Sequence, residues 1–344
     1  MAYFYSFIFP FLLSLVLTPL VIYVARRFRI MDFPMEWRKT HAKPTPLFGG
    51  LAIFLSFFII LFLFINNGSI GEKALPKNIL LGVFVGSIII MIGGFLDDRY
   101  KLAPKHQIIF PTIATFIAIV SGTHISFITN PSGGVVNIVP VLGFIITFAW
   151  LMGMMYTTKF LDGLDGLVSG VTIIASFIIF IVSLFWDIKN SGTSHMSLML
   201  AGAALGFLIY NFYPAKIFLG EGGSIFLGYM IGVLSIISGS KIATSILIMG
   251  LPIIDTLYVI IRRIRQGKSP AVGDREHFHY TLLDSGISQR KAVSIIYCTT
   301  LLFGLSSLFL NTKGKIIAIC VLIITSIFLI KKLYSRSKNS RNHA

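Results

Sequence analysis

A chain of 344 residues that is 55% hydrophobic and only 12% charged, with a mean hydropathy of +0.86, is not composed like a soluble globular domain; it reads as an integral membrane protein. The net charge of +16 could suggest nucleic acid, but a polytopic chain carries such an excess in its inner loops, so no nucleic-acid partner is expected. Cys298 and Cys320 both lie in apolar runs, which leaves neither a disulfide framework nor a metal-knuckle spacing.

A bilayer span takes about 20 mostly apolar residues. Eleven segments meet that description, at 3–25, 47–66, 78–96, 107–121, 139–157, 167–186, 196–213, 224–240, 242–261, 293–310 and 316–330. The fourth is short and carries Pro111. The first has no basic region before it and no small-residue cleavage site after it, so it is read as a span rather than a secretion signal. The expected fold class is all-α: one polytopic membrane domain over residues 1–344 with about 11 transmembrane helices. Its basic tail, 331–344, would hold the last helix against anionic headgroups.

Lys and Arg set the orientation. Loops after odd-numbered spans, with the tail, hold 23 of them against 6 on the other face. This predicts the N-terminus outside, the C-terminus in the cytoplasm and residence in the plasma membrane. Of the carboxylates, only Glu72 and Asp187 then face outward. Acidic groups beside a hydrocarbon layer are costly to keep, so the one-sided set marks a cytoplasmic site. No internal repeat is evident. The inner loops 26–46 and 262–292 are longer than mere connection requires.

In chain order, the first inner loop offers Arg38, Lys39, His41 and Lys43 before ending in Gly49-Gly50, a cationic lining for phosphate or anionic lipid. Asp97 and Asp98 follow a span that ends in Gly93-Gly94. They suit Mg2+ ligation, or a base that positions or deprotonates a nucleophile; the plain alternative is an acidic helix end beside Arg99. Asp162 and Asp165 stand three residues apart in DGLDG, where they share a face if helical and the glycines allow tight turns. The segment lacks the remaining ligands of an EF-hand, so calcium is not expected.

Gly220-Glu221-Gly222-Gly223-Ser224 opens the eighth span and could form an anion-binding nest at a helix N-terminus. A glutamate there would repel phosphate unless a metal lies between them, which reads as carboxylate, metal and pyrophosphate. The alternative is a glycine-rich turn with a solvated glutamate. Asp255 lies inside the ninth span, where a buried carboxylate needs a partner that the sequence does not name. In the following loop, His277 and His279 lack the further ligands of a zinc site. They read better as contacts to phosphate or sugar, with Arg275 suited to bidentate phosphate binding.

Six motifs in this order resemble those of the polyprenyl-phosphate N-acetylhexosamine-1-phosphate transferases, the membrane glycosyltransferases that include the phospho-MurNAc-pentapeptide translocase. They are RKTHAKPTPLFGG (38–50), GGFLDDRYKLAPK (93–105), FLDGLDGL (160–167), FLGEGGSIFLG (218–228), PIIDTLYVIIRRIRQGKSP (252–270) and DREHFHYTLLDSG (274–286). The last is similar to the GlcNAc-type branch. The resemblance implies that polyprenyl (undecaprenyl) phosphate attacks the β-phosphate of a UDP-sugar, giving a lipid-linked pyrophosphoryl sugar and UMP. It implies Mg2+ as cofactor, with Mn2+ the alternative, and leaves a homodimer open.

By position it implies that Asp97 and Asp98 are catalytic, that Asp98 and Glu221 are at the metal, and that Asp165 is in the uridine pocket. Substrate contacts would come from Arg38, His41, Lys43, Lys105, Lys159, Asp162, Asp165, Arg275, His277 and His279, with the two histidines facing the sugar phosphate. Four positions depart from the family's usual residues: Lys159 stands for asparagine, Glu221 for aspartate, Tyr280 for histidine and Gln107 for a frequent lysine. A protonated Lys159 cannot ligate metal; it could neutralise phosphate itself and replace the lysine absent at 107. A silent homologue that only binds these substrates, and a secondary transporter, are the competing readings.

Overall fold

A computed structural model of the protein describes residues 1–34, 43–68, 70, 76–186, 191–239, 242–269 and 276–342. Helix α1 (Ala2–Arg27) leads into a short antiparallel pair, β1 (Met31–Asp32) with β2 (Thr45–Pro46), in which Met31 faces Pro46. Next come α2 (Gly50–Asn66), α3 (Lys77–Tyr100), α4 (Pro104–Gln107) and α5 (Ile109–Val120). A hairpin of β3 (Phe127–Thr129) and β4 (Val135–Asn137) precedes α6 (Pro140–Leu161). The regular elements described after it are all helices: α7 (Leu167–Trp186), α8 (Gly192–Asn211), α9 (Gly220–Ile237), α10 (Ile242–Ile248), α11 (Gly250–Arg265), α12 (Phe278–Asp284), α13 (Gln289–Phe309) and α14 (Thr312–Asn342).

Each of the eleven apolar segments falls on a helix, and among the described residues eight helices are long and apolar enough to cross a membrane. Two expected spans are shorter: α2 has 17 residues, and the stretch Pro104–Val120 starts with a separate turn, α4. The ninth segment is broken. Helices α10 and α11 meet at 77° across Met249, and Pro252 sits in the first turn of α11, where its missing N–H has no intrahelical bond to lose.

Helix α9 is the centre of the bundle. The apolar stretch of α9 is 89% buried, against 22% for α1 and 17% for α14. It can sit there because its entry is nearly all glycine: a Cβ on Gly94 of α3 would overlap Gly222, and a Cβ on Gly223 would come within 2.7 Å of the Gly50 Cα. Without a hydrophobic drive between helices in lipid, such close backbone approach is what favours their packing. Farther along, Phe226 joins Phe54, Phe58 and Phe84, with the Phe58 and Phe84 rings edge-on at 4.9 Å, a favoured aromatic geometry. The glycine end of α9 is therefore pinned between α2 and α3, which fixes the side chains that follow.

Candidate active site

The chain entering α9 is stitched to the loop before α2 by backbone hydrogen bonds: Phe218 N–H donates to the Pro46 carbonyl, and Gly49 and Gly50 donate to Phe218 and Leu219, all at 2.9 Å. Gly220 follows at φ +75, a conformation that costs glycine little. A Cβ on it would overlap Asp98 Oδ2. Asp98, only 8% exposed, therefore reaches the helix start, where its Oδ1 accepts the Glu221 N–H at 3.0 Å. The second amide of α9 is thus taken by the Asp98 side chain, as helix N-termini favour, rather than left open to a phosphate. Asp98 Oδ2 is buried with no hydrogen-bond partner among the described residues.

Asp97 points into a second set of contacts. Its Oδ1 accepts the Leu102 N–H at 2.9 Å and Gln107 Nε2 at 2.8 Å. The Gln107 Oε1 in turn accepts Lys159 Nζ at 2.8 Å. Lys159, near the end of α6, forms an ion pair with Glu221 Oε1 and lies 5.5 Å from the centre of the Tyr156 ring. Three helices and the α4 turn are so linked through one chain of side chains, Asp97, Gln107, Lys159 and Glu221. Beside it, between Gly93, Phe110 and Pro111, is a cavity of about 10 Å³, room for one water.

Asp162 and Asp165 lie on the turn after α6, and the turn is held from behind. Asn211, buried at the end of α8, accepts the Gly166 N–H at 3.1 Å and the Ser169 hydroxyl at 2.9 Å, while its Nδ2 donates to the Ile217 carbonyl at 2.9 Å. Asp165 Oδ2 accepts the Ala215 N–H at 2.9 Å. The carboxyl of Asp162 is pushed up to about 8 by burial, with the Glu221 and Asp165 carboxylates adding to the shift, which favours its neutral form. A side chain at Gly163 would meet His279 and Tyr280, so glycine there lets the loop of α12 close over the turn.

That loop supplies the partner that Asp255 requires. Asp255 Oδ2 lies 2.9 Å from His277 Nδ1, and its Oδ1 accepts the Phe278 N–H at 2.8 Å. His277 is stacked between Phe160 and His279, at 5.7 and 5.6 Å between centroids. His279 is 1% exposed, and neither ring nitrogen has a partner among the described residues. Burial, with His277 beside it, holds its pKa well below the usual histidine range, so it stands in the site as a neutral imidazole.

The structure gathers Asp97, Asp98, Lys159 and Glu221 directly, and it brings Asp162, Asp165, His277 and His279 to the same end of α6. Lys43 and Lys105 are exposed and touch none of these carboxylates among the described residues. Arg38, His41 and Arg275 lie outside the described residues. Sequence reasoning gave no role to Asn211 and no partner to Asp255. The one signal for Asn211 was a polar residue between an apolar run and Phe212-Tyr213-Pro214.

The donor set does not fit a divalent ion held by protein ligands alone. No group of three His, Cys, Asp or Glu side chains among the described residues could hold a metal. Glu221, one of the two positions implied as metal-binding, is already paired with an ammonium. Oxygen-bound cations of this kind need several unencumbered oxygens.

Fold and site together define a multi-pass helical membrane protein that gathers ionisable groups at one end of its bundle. A family model described as glycosyl transferase family 4 matches residues 80–239. The chain is 31% identical over 334 residues to a probable undecaprenyl-phosphate N-acetylglucosaminyl 1-phosphate transferase of Bacillus subtilis (strain 168), covering 94% of this chain and 89% of the relative. It is also 31% identical to a decaprenyl-phosphate N-acetylglucosaminephosphotransferase of Mycolicibacterium smegmatis, covering 85% and 78%. A phospho-N-acetylmuramoyl-pentapeptide-transferase of Halalkalibacterium halodurans is 30% identical, covering 89% and 96%. The chain belongs to glycosyl transferase family 4.

Proposed function

We propose that this protein transfers a sugar 1-phosphate, with N-acetylglucosamine 1-phosphate the default, from a UDP-sugar to undecaprenyl or a similar polyprenyl phosphate on the cytoplasmic face of the plasma membrane. A phosphate oxygen of the lipid bonds to the β-phosphorus of the donor. The bond from that phosphorus to the bridging oxygen breaks, and UMP leaves with the bond's electron pair. The observation that carries this reading is the side-chain chain from Asp97 through Gln107 and Lys159 to Glu221, which joins a base to a fixed cation where a pyrophosphate would sit.

Asp97, with Oδ1 committed to Leu102 and Gln107, turns its other oxygen to the lipid phosphate and positions it for attack. Lys159 offsets charge on the transferring phosphoryl group. Asp165 and the Asn211-braced turn form the floor for the uridine. His277, oriented by Asp255, donates to the sugar phosphate, and neutral His279 backs it. Phosphotransferases of this family are generally metal-dependent, and Mg2+ is the proposed ion.

The test is UMP release by purified protein given polyprenyl phosphate, UDP-N-acetylglucosamine and Mg2+. Turnover supports the reading. Binding of both substrates without turnover would instead identify a silent homologue, for which the Lys159–Glu221 pair would be the physical reason.

A further inference from the structure

The cation at the centre of the site is closely held, and an unpartnered carboxyl oxygen lies near the helix start beside it. Lys159 is 16% exposed at its side chain, and so is Glu221; neither is a loose surface group. The ammonium has three fixed neighbours: Glu221 Oε1, Gln107 Oε1 and the Tyr156 ring. Through Gln107 it also orients Asp97, because the amide that accepts from Lys159 donates to Asp97 Oδ1. Finally, Asp98 Oδ2 is buried without a partner beside the same helix start, an oxygen that calls for a cation or proton donor.

A divalent ion placed on Glu221 would meet an ammonium held by the same carboxylate, and like charges this close repel strongly in a partly desolvated site. A nucleoside diphosphate changes that balance, since its phosphate oxygens add negative charge and can supply most of the coordination sphere, as is usual for Mg2+. We propose that Lys159 is the resident cation of this site, holding Glu221 and Asp97 in the substrate-free protein, so that a divalent ion enters only together with the diphosphate of the donor. This rests on the transferase reading and specifies the order in which its site fills.

The experiment uses the full chain in detergent, with Mn2+ as the paramagnetic probe, and measures Mn2+ binding first without and then with UDP-N-acetylglucosamine. The wild-type protein should bind Mn2+ negligibly alone and clearly with the nucleotide sugar. Lys159→Asn should bind Mn2+ alone at least about tenfold more tightly than wild type. Lys159→Arg, which keeps the charge, should behave like wild type. Equal Mn2+ affinity of the substrate-free wild type and Lys159→Asn overturns the proposal, as does nucleotide-independent Mn2+ binding by Lys159→Arg. Should Lys159→Asn fail to fold, a wild-type melting temperature raised by Mn2+ alone overturns it, and one raised only by Mn2+ with the nucleotide sugar supports it. Absence of UDP-N-acetylglucosamine binding, measured separately, would defeat the transferase reading, while the substrate-free comparison would still report on Lys159.

Discussion

Two buried polar clusters sit at opposite ends of α8, and they are built on opposite terms. Near its start, Ser6 bonds to His195 Nδ1 at 2.7 Å, and Ser194 bonds to Ser183 at 2.5 Å and to Ser191 at 2.9 Å. These groups are short and mostly hydroxyl and bond to one another across helices, as polar side chains do within a membrane; His195 Nε2 alone of the named groups is left without a partner among the described residues. Beyond the other end, past Asn211, the groups are carboxylates, an ammonium and imidazoles. There Asp98 Oδ2 and both nitrogens of His279 are left without partners among the described residues. Both ends hold a buried ring nitrogen without a partner among the described residues; what separates them is charge, which is the costlier group to keep beside a hydrocarbon layer.

The contrast can be broken most sharply at Asp97. Asp97→Asn should lower the rate of UMP release by about 10²- to 10⁴-fold while leaving the melting temperature within a few degrees of wild type. Full activity in that variant would remove the carboxylate from the chemistry.

Next in size is Lys159→Met, which leaves a buried Glu221 carboxylate without its counter-charge and should cost about 3 kcal/mol of stability. Thermal unfolding in detergent reads this directly. Lys159→Arg, keeping the charge, should lose much less, and equal losses would show that packing rather than charge is at stake.

Asp162 gives a pH signature. Its folded pKa is raised from 3.8 to about 8, so its contribution to stability is complete below its unfolded value and is lost as pH rises through about 8. Wild-type melting temperature should therefore decline across this window, and Asp162→Asn should flatten the decline. An unchanged slope in the variant would assign the pH dependence elsewhere.

The smallest effect belongs to the other cluster. Ser6→Ala removes one hydroxyl from His195 and should cost about 0.6 kcal/mol, with UMP release unaltered. A large loss of activity would mean that the two ends are coupled, and the contrast between them would fail.

The sequence located most of this architecture because its signals are local. Apolar run length placed a helix on every expected segment, and the spacing of glycines around acids singled out Asp97, Asp98, Asp162, Asp165 and Glu221. Where local signals compete, the outcome shifted. The ninth segment has enough apolar residues for one straight span, yet it bends where Gly250 and Pro252 restart the helix. The glycines around Glu221 suggest an anion nest, but they serve close packing against Gly94 and Gly50, and the Glu221 amide is taken by Asp98.

The pairings at the heart of the site could not be read along the chain. Lys159 and Gln107 are 52 residues apart, Asp255 and His277 are 22, and Asp98 and Glu221 are 123. Amino-acid order alone determined that this is a helical membrane protein with acidic clusters at the ends of its apolar segments, since length, hydropathy and residue type act on each segment separately. Only the packing of α3, α6 and α9 decided which charge meets which. An ion pair depends on a few ångströms between side chains, and that separation exists only once the helices have met.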